Sequence, residues 1–393
     1  MLQWPADMQL SPDKALGQQY EQGFQPQLQD TPRYNKGPTA DHSSTHVLAL
    51  SLSSLILSST VGSQLPQLSL DPRDLIPSSS HVHAVIYDDE PDDLPTGVML
   101  QDLSKYITKD GIYPAARGGF GEIWKCTISC TDRSSVKVAV KAFQLYVEEE
   151  LPAKTKKIRR IKRELGISAN LKHTNILPIY GYAHGFSPLI AIVSPWAVNG
   201  DLSDYLKRKG ATLTLVLRLQ LLRDIIAGLQ YLHANSVIHG DFTSVNVLIH
   251  GDGTACIADF GLSLMYSEVI NVSQASWTSA LHGNIRWMAP ELLVPGGEDG
   301  PLIRPSKQSD IYSFGCIMLE VLTNKIPYHY LVNNNTVLMS IISSQKPSRV
   351  YYPGLPGKYW SFIEKCWSTK PRDRPSTEEA DVAIRDIYLA VQS

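Results

Sequence analysis

Val237-Ile238-His239-Gly240-Asp241-Phe242-Thr243-Ser244-Val245-Asn246-Val247-Leu248 sets an acid and, five positions later, an amide in a short polar loop bracketed by apolar pairs. Thirteen residues beyond Asn246 stands Asp259, which opens Asp259-Phe260-Gly261 after the apolar run Ala255-Cys256-Ile257-Ala258. On loops between short strands, an acid, an amide and a second acid can hold a divalent metal against phosphates, and one acid can accept a proton from a hydroxyl. Taken singly the residues say less, because Asp241 also fits a turn cap and Asn246 a turn. The reading depends on whether the other parts of a phosphoryl-transfer site follow in order elsewhere in the chain.

The 393 residues suffice for two ordinary domains or one large domain with a tail. A hydrophobic fraction of 43% is usual for a globular protein, and a net charge of −2 carries no nucleic-acid signal. The charge is uneven: residues 1–100 hold twelve acidic and four basic side chains. Five cysteines (Cys126, Cys130, Cys256, Cys316, Cys366) are odd in number and sit mostly in apolar runs, which speaks for thiols in a reducing compartment. Cys126 and Cys130 have no second Cys/His pair to complete a zinc site. The N-terminus lacks the basic-then-apolar order of a signal peptide, and the Ser-laced apolar run 47–57 is too short to span a bilayer. The expectation is a cytoplasmic or nuclear protein with no membrane span and no nucleic-acid partner.

Residues 1–102 read as a largely disordered tail, Gln- and Pro-rich, then Ser-rich, then acidic over 88–93. Such composition buries too little apolar surface to offset backbone ordering. A solvated spacer is the simple account of it, and a tail that docks partners the functional one. From about Leu103 the texture changes. Ala116-Arg117-Gly118-Gly119-Phe120-Gly121-Glu122-Ile123-Trp124 precedes the alternating Val136-Lys137-Val138-Ala139-Val140-Lys141-Ala142. A glycine-rich turn can lay backbone N–H groups over phosphates, although plain hairpins use such turns too. Lys141 ends an apolar strand and needs an anion. The segment 154–173 has a helical pattern with a basic start, read as a solvated face or a localisation signal, and Glu164 lies against its apolar stripe as a candidate partner of Lys141. Strands are expected over 176–180 and 189–194, an extended connector over 195–200, and helices over 201–209 and 213–235. A small β-rich lobe thus precedes a larger helical one, with a crevice between them suited to a nucleotide.

From about residue 105 to 390 the chain resembles the eukaryotic protein kinases, and among them the tyrosine-kinase-like group of Ser/Thr kinases. Besides the segments already quoted, the resemblance rests on Arg286-Trp287-Met288-Ala289-Pro290-Glu291, Asp310-Ile311-Tyr312-Ser313-Phe314-Gly315, and Cys366-Trp367 ahead of Pro371-Arg372-Asp373-Arg374-Pro375-Ser376. It implies an α+β, two-lobed protein kinase fold over residues 103–393, with a β-rich lobe to about 195 and an α-helical lobe from about 198. It also implies ATP and Mg²⁺ as cofactors and protein substrates with Ser/Thr acceptors. On this sequence Gly118 and Gly121 would cover the phosphates, Ile123 and Ala139 would lie above the adenine and Leu248 below, and the backbone of Pro195 and Ala197 would bond it. Asp201 would reach the ribose, and Ser194 would be a small gatekeeper. Lys141 would meet the α- and β-phosphates and pair with Glu164. Asp241 would orient and deprotonate the acceptor hydroxyl, and Asn246 and Asp259 would hold Mg²⁺. Glu291 and Arg374 would form a buried structural ion pair, and His239 would pack rather than act as a base.

The chain departs from the family pattern in one place above all. Thr243 stands where Ser/Thr kinases carry a Lys, Val245 where tyrosine kinases carry an Arg, and Asn284 where a Thr normally bonds that Lys and the catalytic Asp. Ala116 replaces the first glycine of the phosphate loop, and Gly240 an Arg that usually binds a phosphorylated loop. Two readings stay open: an active Ser/Thr kinase, and a pseudokinase serving as an ATP-binding scaffold or allosteric partner. Retention of Lys141, Glu164, Asp241, Asn246 and Asp259 favours the first, and Thr243 with Asn284 the second. In the active reading Ser273, Ser276, Thr278 and Ser279 are candidate autophosphorylation sites.

Overall fold

Alternating β-branched residues over 135–142 make the central strand of a sheet with two unlike faces. The computed structural model describes residues 100–118, 121–129, 134–143, 165–166, 168–260, 284–293 and 305–392. Residues 1–99 of the expected tail, the basic segment 154–163, Glu164 and the hydroxyls Ser273, Ser276, Thr278 and Ser279 lie outside the described residues, whereas Gln101–Asp102, expected in the tail, pair with Gly181–Tyr182 as an edge strand and so belong to the folded lobe. Seven strands, β1 (Gln101–Asp102), β2 (Ile107–Lys109), β3 (Ala116–Gly118), β4 (Gly121–Ser129), β5 (Ser135–Ala142), β6 (Gly181–Ala183) and β7 (Ala191–Pro195), run in the order β1-β6-β7-β5-β4-β2, with β3 on β4. The register sets Ile123 opposite Lys141 and Cys126 opposite Val138. Cys126, Val138 and Val140 therefore share the inward face and are 0% exposed, packed with Ile128, Ala183 and Val193. Burying each valine stabilises the lobe by about 1.5–3 kcal/mol relative to exposure. The opposite face carries Ile123, Ala139 and Lys141 toward the crevice. Gly121 has φ +144°, and a Cβ there would lie 2.1 Å from the carbonyl oxygen of Ala142. The approach of β4 to β5 thus demands glycine at this position, whatever lies above the strand.

The strand expected over 176–180 does not form. Leu177 N donates to Ile257 O and Ile257 N to Asn175 O, so the segment docks beside the second lobe. The sheet strand begins only at Gly181, and its partner starts at Ala191, two residues later than expected.

The second lobe holds α1 (Leu202–Lys209), α2 (Leu215–Ala234), the hairpin β8 (Val247–Ile249) and β9 (Ala255–Ile257), then α3 (Lys307–Thr323), α4 (Asn334–Ile342), α5 (Gly357–Cys366) and α6 (Thr377–Gln392). The expected first residues of the first two helices prove to lie outside them. Asp201 caps α1 by accepting from Asp204 N, and Thr214 caps α2 by accepting from Leu217 N. Leu219, Leu222, Ile225, Ile226, Leu229 and Leu232, spaced by threes and fours, are all 0% exposed. Helix α3 is apolar nearly all round and runs through the core, as such a helix must. Arg374 donates to both oxygens of Glu291 at 2.6 and 2.7 Å. The guanidinium is 0% exposed and the carboxylate 26%, so the expected ion pair is buried on one side only. Cys126, Cys256, Cys316 and Cys366 are free and buried, and burial pushes the thiols of Cys256 and Cys366 up to about 12, which leaves them unreactive. Cys130 lies outside the described residues. No helix among the described residues is long and apolar enough to cross a membrane.

Candidate active site

The loop 239–246 hangs on one buried acid. Asp310, 1% exposed on α3, accepts from the backbone N–H of His239 at 2.9 Å and of Gly240 at 2.8 Å. His233, at the end of α2, lies 2.8 Å from the same carboxylate. Such satisfaction makes a buried carboxylate tolerable and fixes the loop's height above α3. Gly240 has φ +72°, a left-handed conformation that favours glycine. His239 is fully buried and its Nε2 lies 3.0 Å from Ala258 O, which ties the loop to the strand leading to Asp259. This is the packing role expected of it.

Asp241 is 5% exposed. Asn284 Nδ2 donates to its Oδ1 at 2.7 Å, and Asn246 Nδ2 donates to its backbone carbonyl at 2.8 Å and approaches Oδ2 at 3.4 Å. Burial pushes the Asp241 carboxyl above the usual range, with His239 and the two amide donors pulling it back. Across the crevice, Lys141 Nζ meets Asp259 Oδ1 at 2.5 Å. Asp259 has φ +59°, a left-handed conformation uncommon outside glycine that sets the carboxylate at the loop's tip. The expected Lys141–Glu164 pairing falls outside the described residues; within them the lysine's ion pair is with Asp259.

The linker between the lobes is pinned at both ends. Trp196 N donates to Lys137 O, Asn199 N to Ile249 O, and Ile249 N to Gly200 O. Asp201 bridges to Leu248, which fastens the far end of the linker to β8. Ala197 is 8% exposed, Pro195 half-buried, and Gly118 pairs with Gly121 at the hairpin end. The residues singled out for a nucleotide thus lie on strands β3 to β5, on the linker and on β8, to which the linker is bonded. Asp201 has a structural task as well, since its Oδ1 caps α1 at 2.9 Å. Asn246 and Asp259 offer the oxygen donors that Mg²⁺ favours, and one or two protein oxygens completed by phosphates suffice for that ion. Asn246 spends its NH₂ on Asp241, which leaves its Oδ1 as the remaining polar atom. The donor set fits.

Thr243 is 2% exposed, and its Oγ1 has no hydrogen-bond partner among the described residues. Val245 is 47% exposed and apolar. Neither supplies a cation.

Two functional neighbours, Asp310 and Glu320, escape sequence reasoning, and a third, Asn284, is expected there only at the place of a Thr that bonds the catalytic Asp. Asp310 was visible only as part of a motif, with no task assigned to it. The direct bond of Asn284 to Asp241 needed coordinates. Glu320, the second buried acid of α3, is 3% exposed beneath the loop. Ser244, Ser203 and Trp287 face it and soften the effect of burial. Yet Glu320 Oε2, Ser244 Oγ and Trp287 Nε1 all lack a hydrogen bond of normal geometry, so burial prevails and the carboxyl is pushed up to about 7. A carboxyl whose pKa rises on folding binds its proton more tightly in the native state. Its ionisation therefore removes stability as pH climbs from the ordinary carboxyl range through 7, by about 3 kcal/mol once complete. Glu320→Gln is expected to raise the urea midpoint at pH 8 and to change it little at pH 5. Equal shifts at both pH values would rule this account out.

The family model described as protein tyrosine and serine/threonine kinase matches residues 114–384. Mitogen-activated protein kinase kinase kinase A of Dictyostelium discoideum is 26% identical over 267 residues, covering 67% of this chain and 26% of that protein. A probable serine/threonine-protein kinase of the same organism is 29% identical over 286 residues, covering 72% of this chain and 53% of that one. Tyrosine-protein kinase SRK3 of Spongilla lacustris is 28% identical over 278 residues, covering 70% and 75%. The chain thus spans about a quarter of the first relative's length and about half of the second's.

Proposed function

Because the chain belongs to the protein tyrosine and serine/threonine kinase family, we propose that it is an ATP- and Mg²⁺-dependent protein kinase that phosphorylates Ser or Thr hydroxyls of protein substrates. The observation that carries this reading is the clamped Asp241 carboxylate, with a carboxamide at each oxygen, facing the Lys141–Asp259 pair across the crevice. Bound ATP and Mg²⁺ would supply the transferable phosphoryl group and the positive charge over its oxygens. The chain's own residues do the rest. Asp241 orients the acceptor hydroxyl and takes its proton, and Lys141 holds phosphate oxygens. Asn246 and Asp259 present metal-binding oxygens, while Ile123, Ala139 and Leu248 enclose the base. The kinase domain is assigned to 101–393, since Gln101–Asp102 belong to its sheet, and the residues before it to a tail that docks partners.

The buried Thr243 and apolar Val245 favour a second reading, an ATP-binding scaffold without transfer, because charge developing on the phosphoryl oxygens then lacks a cation from the loop. The two separate on incubation of the protein with γ-labelled ATP, Mg²⁺ and a generic basic protein, followed by phosphoamino-acid analysis. Phosphoserine or phosphothreonine that disappears on chelating Mg²⁺ is expected. Nucleotide binding without any transfer would decide for the scaffold, and phosphotyrosine alone would overturn the Ser/Thr assignment.

A further inference from the structure

The two departures nearest the chemistry meet at a single carboxylate. Asn284 precedes the turn Ile285–Trp287, and its carbonyl accepts from Trp287 N at 3.1 Å, so its backbone is held by the segment that follows. From that fixed base its amide reaches Asp241 Oδ1 at 2.7 Å, while Asn246 approaches the other oxygen at 3.4 Å. Each oxygen accepts from one amide only, so it keeps lone-pair capacity for an incoming hydroxyl.

Thr243 lies on the other side of the same contact. Its side chain is 2% exposed, and its Oγ1 is buried and unpartnered among the described residues. Asp241, Thr243, Asn284 and Trp287 line a cavity of about 10 Å³, room for about one water. A lysine at 243 would have to extend a four-carbon stem and an ammonium from a position only 2% exposed, past the residues lining this small, half-open pocket, and overpacking of this kind destabilises. The acceptor it would seek, Asp241 Oδ1, already accepts from Asn284, so an ammonium there would take the lone pair otherwise left for the incoming hydroxyl.

We propose that Asn284 is a positioning residue for Asp241 and that Asn284 and Thr243 form one matched pair, in which the amide takes the place of a lysine that this packing excludes. The proposal rests on the kinase reading and deepens it. It also reverses a simple expectation. If the lysine had merely been lost, Thr243→Lys alone would raise activity. With a matched pair, Thr243→Lys alone lowers it, because the new ammonium takes the lone pair that Asn284 leaves for the hydroxyl. Asn284→Thr alone lowers it too, because the shorter side chain releases Asp241. Together they allow the ammonium to reach the freed oxygen.

The test uses the full chain with both single variants, the double variant and Asn284→Ala, read by kcat, KM for ATP and thermal unfolding. Asn284→Ala is expected to lower kcat about tenfold or more with KM for ATP unchanged, the mark of a misplaced reacting group. In an Asp241→Asn background it should have no further effect on rate, whereas a purely structural residue would act in both backgrounds. Thr243→Lys and Asn284→Thr should each lower kcat, and the double variant should recover to within about threefold of wild type, a coupling that independent sites do not show. A higher kcat for Thr243→Lys alone, or single effects that multiply in the double variant, would overturn the pairing. If wild type transfers no phosphate, the kinase reading fails separately. The pairing is then decided by unfolding: Thr243→Lys should lower Tm and Asn284→Thr should restore it, and absence of that rescue rejects the pair.

Discussion

Asp241→Asn is expected to lower phosphate transfer by about 10²–10⁴-fold, the usual contribution of a positioned general base. The carboxylate is the only group in the loop placed to take a hydroxyl proton: His239 is fully buried with both ring nitrogens turned to backbone, one toward Ala258 O and one toward Asp241 N. Asparagine matches the aspartate in shape and keeps an oxygen that can accept from Asn284. The backbone carbonyl that holds Asn246 is untouched. Folding and nucleotide affinity should therefore survive, and the loss should appear in kcat. Initial rates with labelled ATP, alongside titration of a fluorescent nucleotide, separate the two effects. A variant that transfers phosphate within about threefold of wild type would show that Asp241 is not the base. Weakened nucleotide binding in proportion to the lost rate would instead make it a structural residue.

Much of this arrangement is legible in the sequence because local chemistry and the tertiary site agree. The period-two run ending at Lys141 becomes a strand whose register alone sends Val138 and Val140 to the core and Lys141 to the crevice. The spacing of the apolar residues in α2 marks a buried face, and the acids and amide of the two loops mark a site. What is not legible depends on long-range pairing. The apolar segment 176–180 has a strand's composition, but its start bonds Ile257 of β9 in the other lobe, and it meets the sheet only where Tyr180 N donates to Val193 O. No local signal distinguishes that partner from the sheet. Asp310 and Glu320 sit on one helix, ten residues apart, and read alike as acids in an apolar run. Only contacts separate them: two backbone N–H groups and a histidine satisfy the first, whereas the second has an oxygen left unbonded and a carboxyl pushed up to about 7. Likewise the resemblance puts Asp201 at a ribose, and its bond to Asp204 N shows that capping α1 already suffices to place an aspartate there.

Arg374→Ala is expected to cost about 3–5 kcal/mol of folding stability, measured by urea unfolding, as is typical when one partner of a buried pair is removed. The guanidinium is 0% exposed and binds both oxygens of Glu291, Gln308 O at 2.9 Å and Ser368 O at 2.9 Å, and it lies 5.1 Å from the ring of Tyr312. Removing it strands a carboxylate and two carbonyls together. Glu291→Ala should cost a comparable amount, since it leaves the buried cation without its counter-charge, and the double variant should cost less than the two singles combined. Arg374→Lys should behave nearly as badly as alanine, because one ammonium cannot span two carboxylate oxygens and two carbonyls. A loss below about 1 kcal/mol for Arg374→Ala would mean that solvent reaching Glu291 already screens the pair. The effect should extend to catalysis. Glu291 lies on the same segment as Asn284, residues 284–293, and Arg374 fastens that segment to the start of α3 through Gln308. Well below the unfolding transition, Glu291→Ala should therefore still lower kcat, since a segment released at Glu291 no longer holds Asn284 against Asp241.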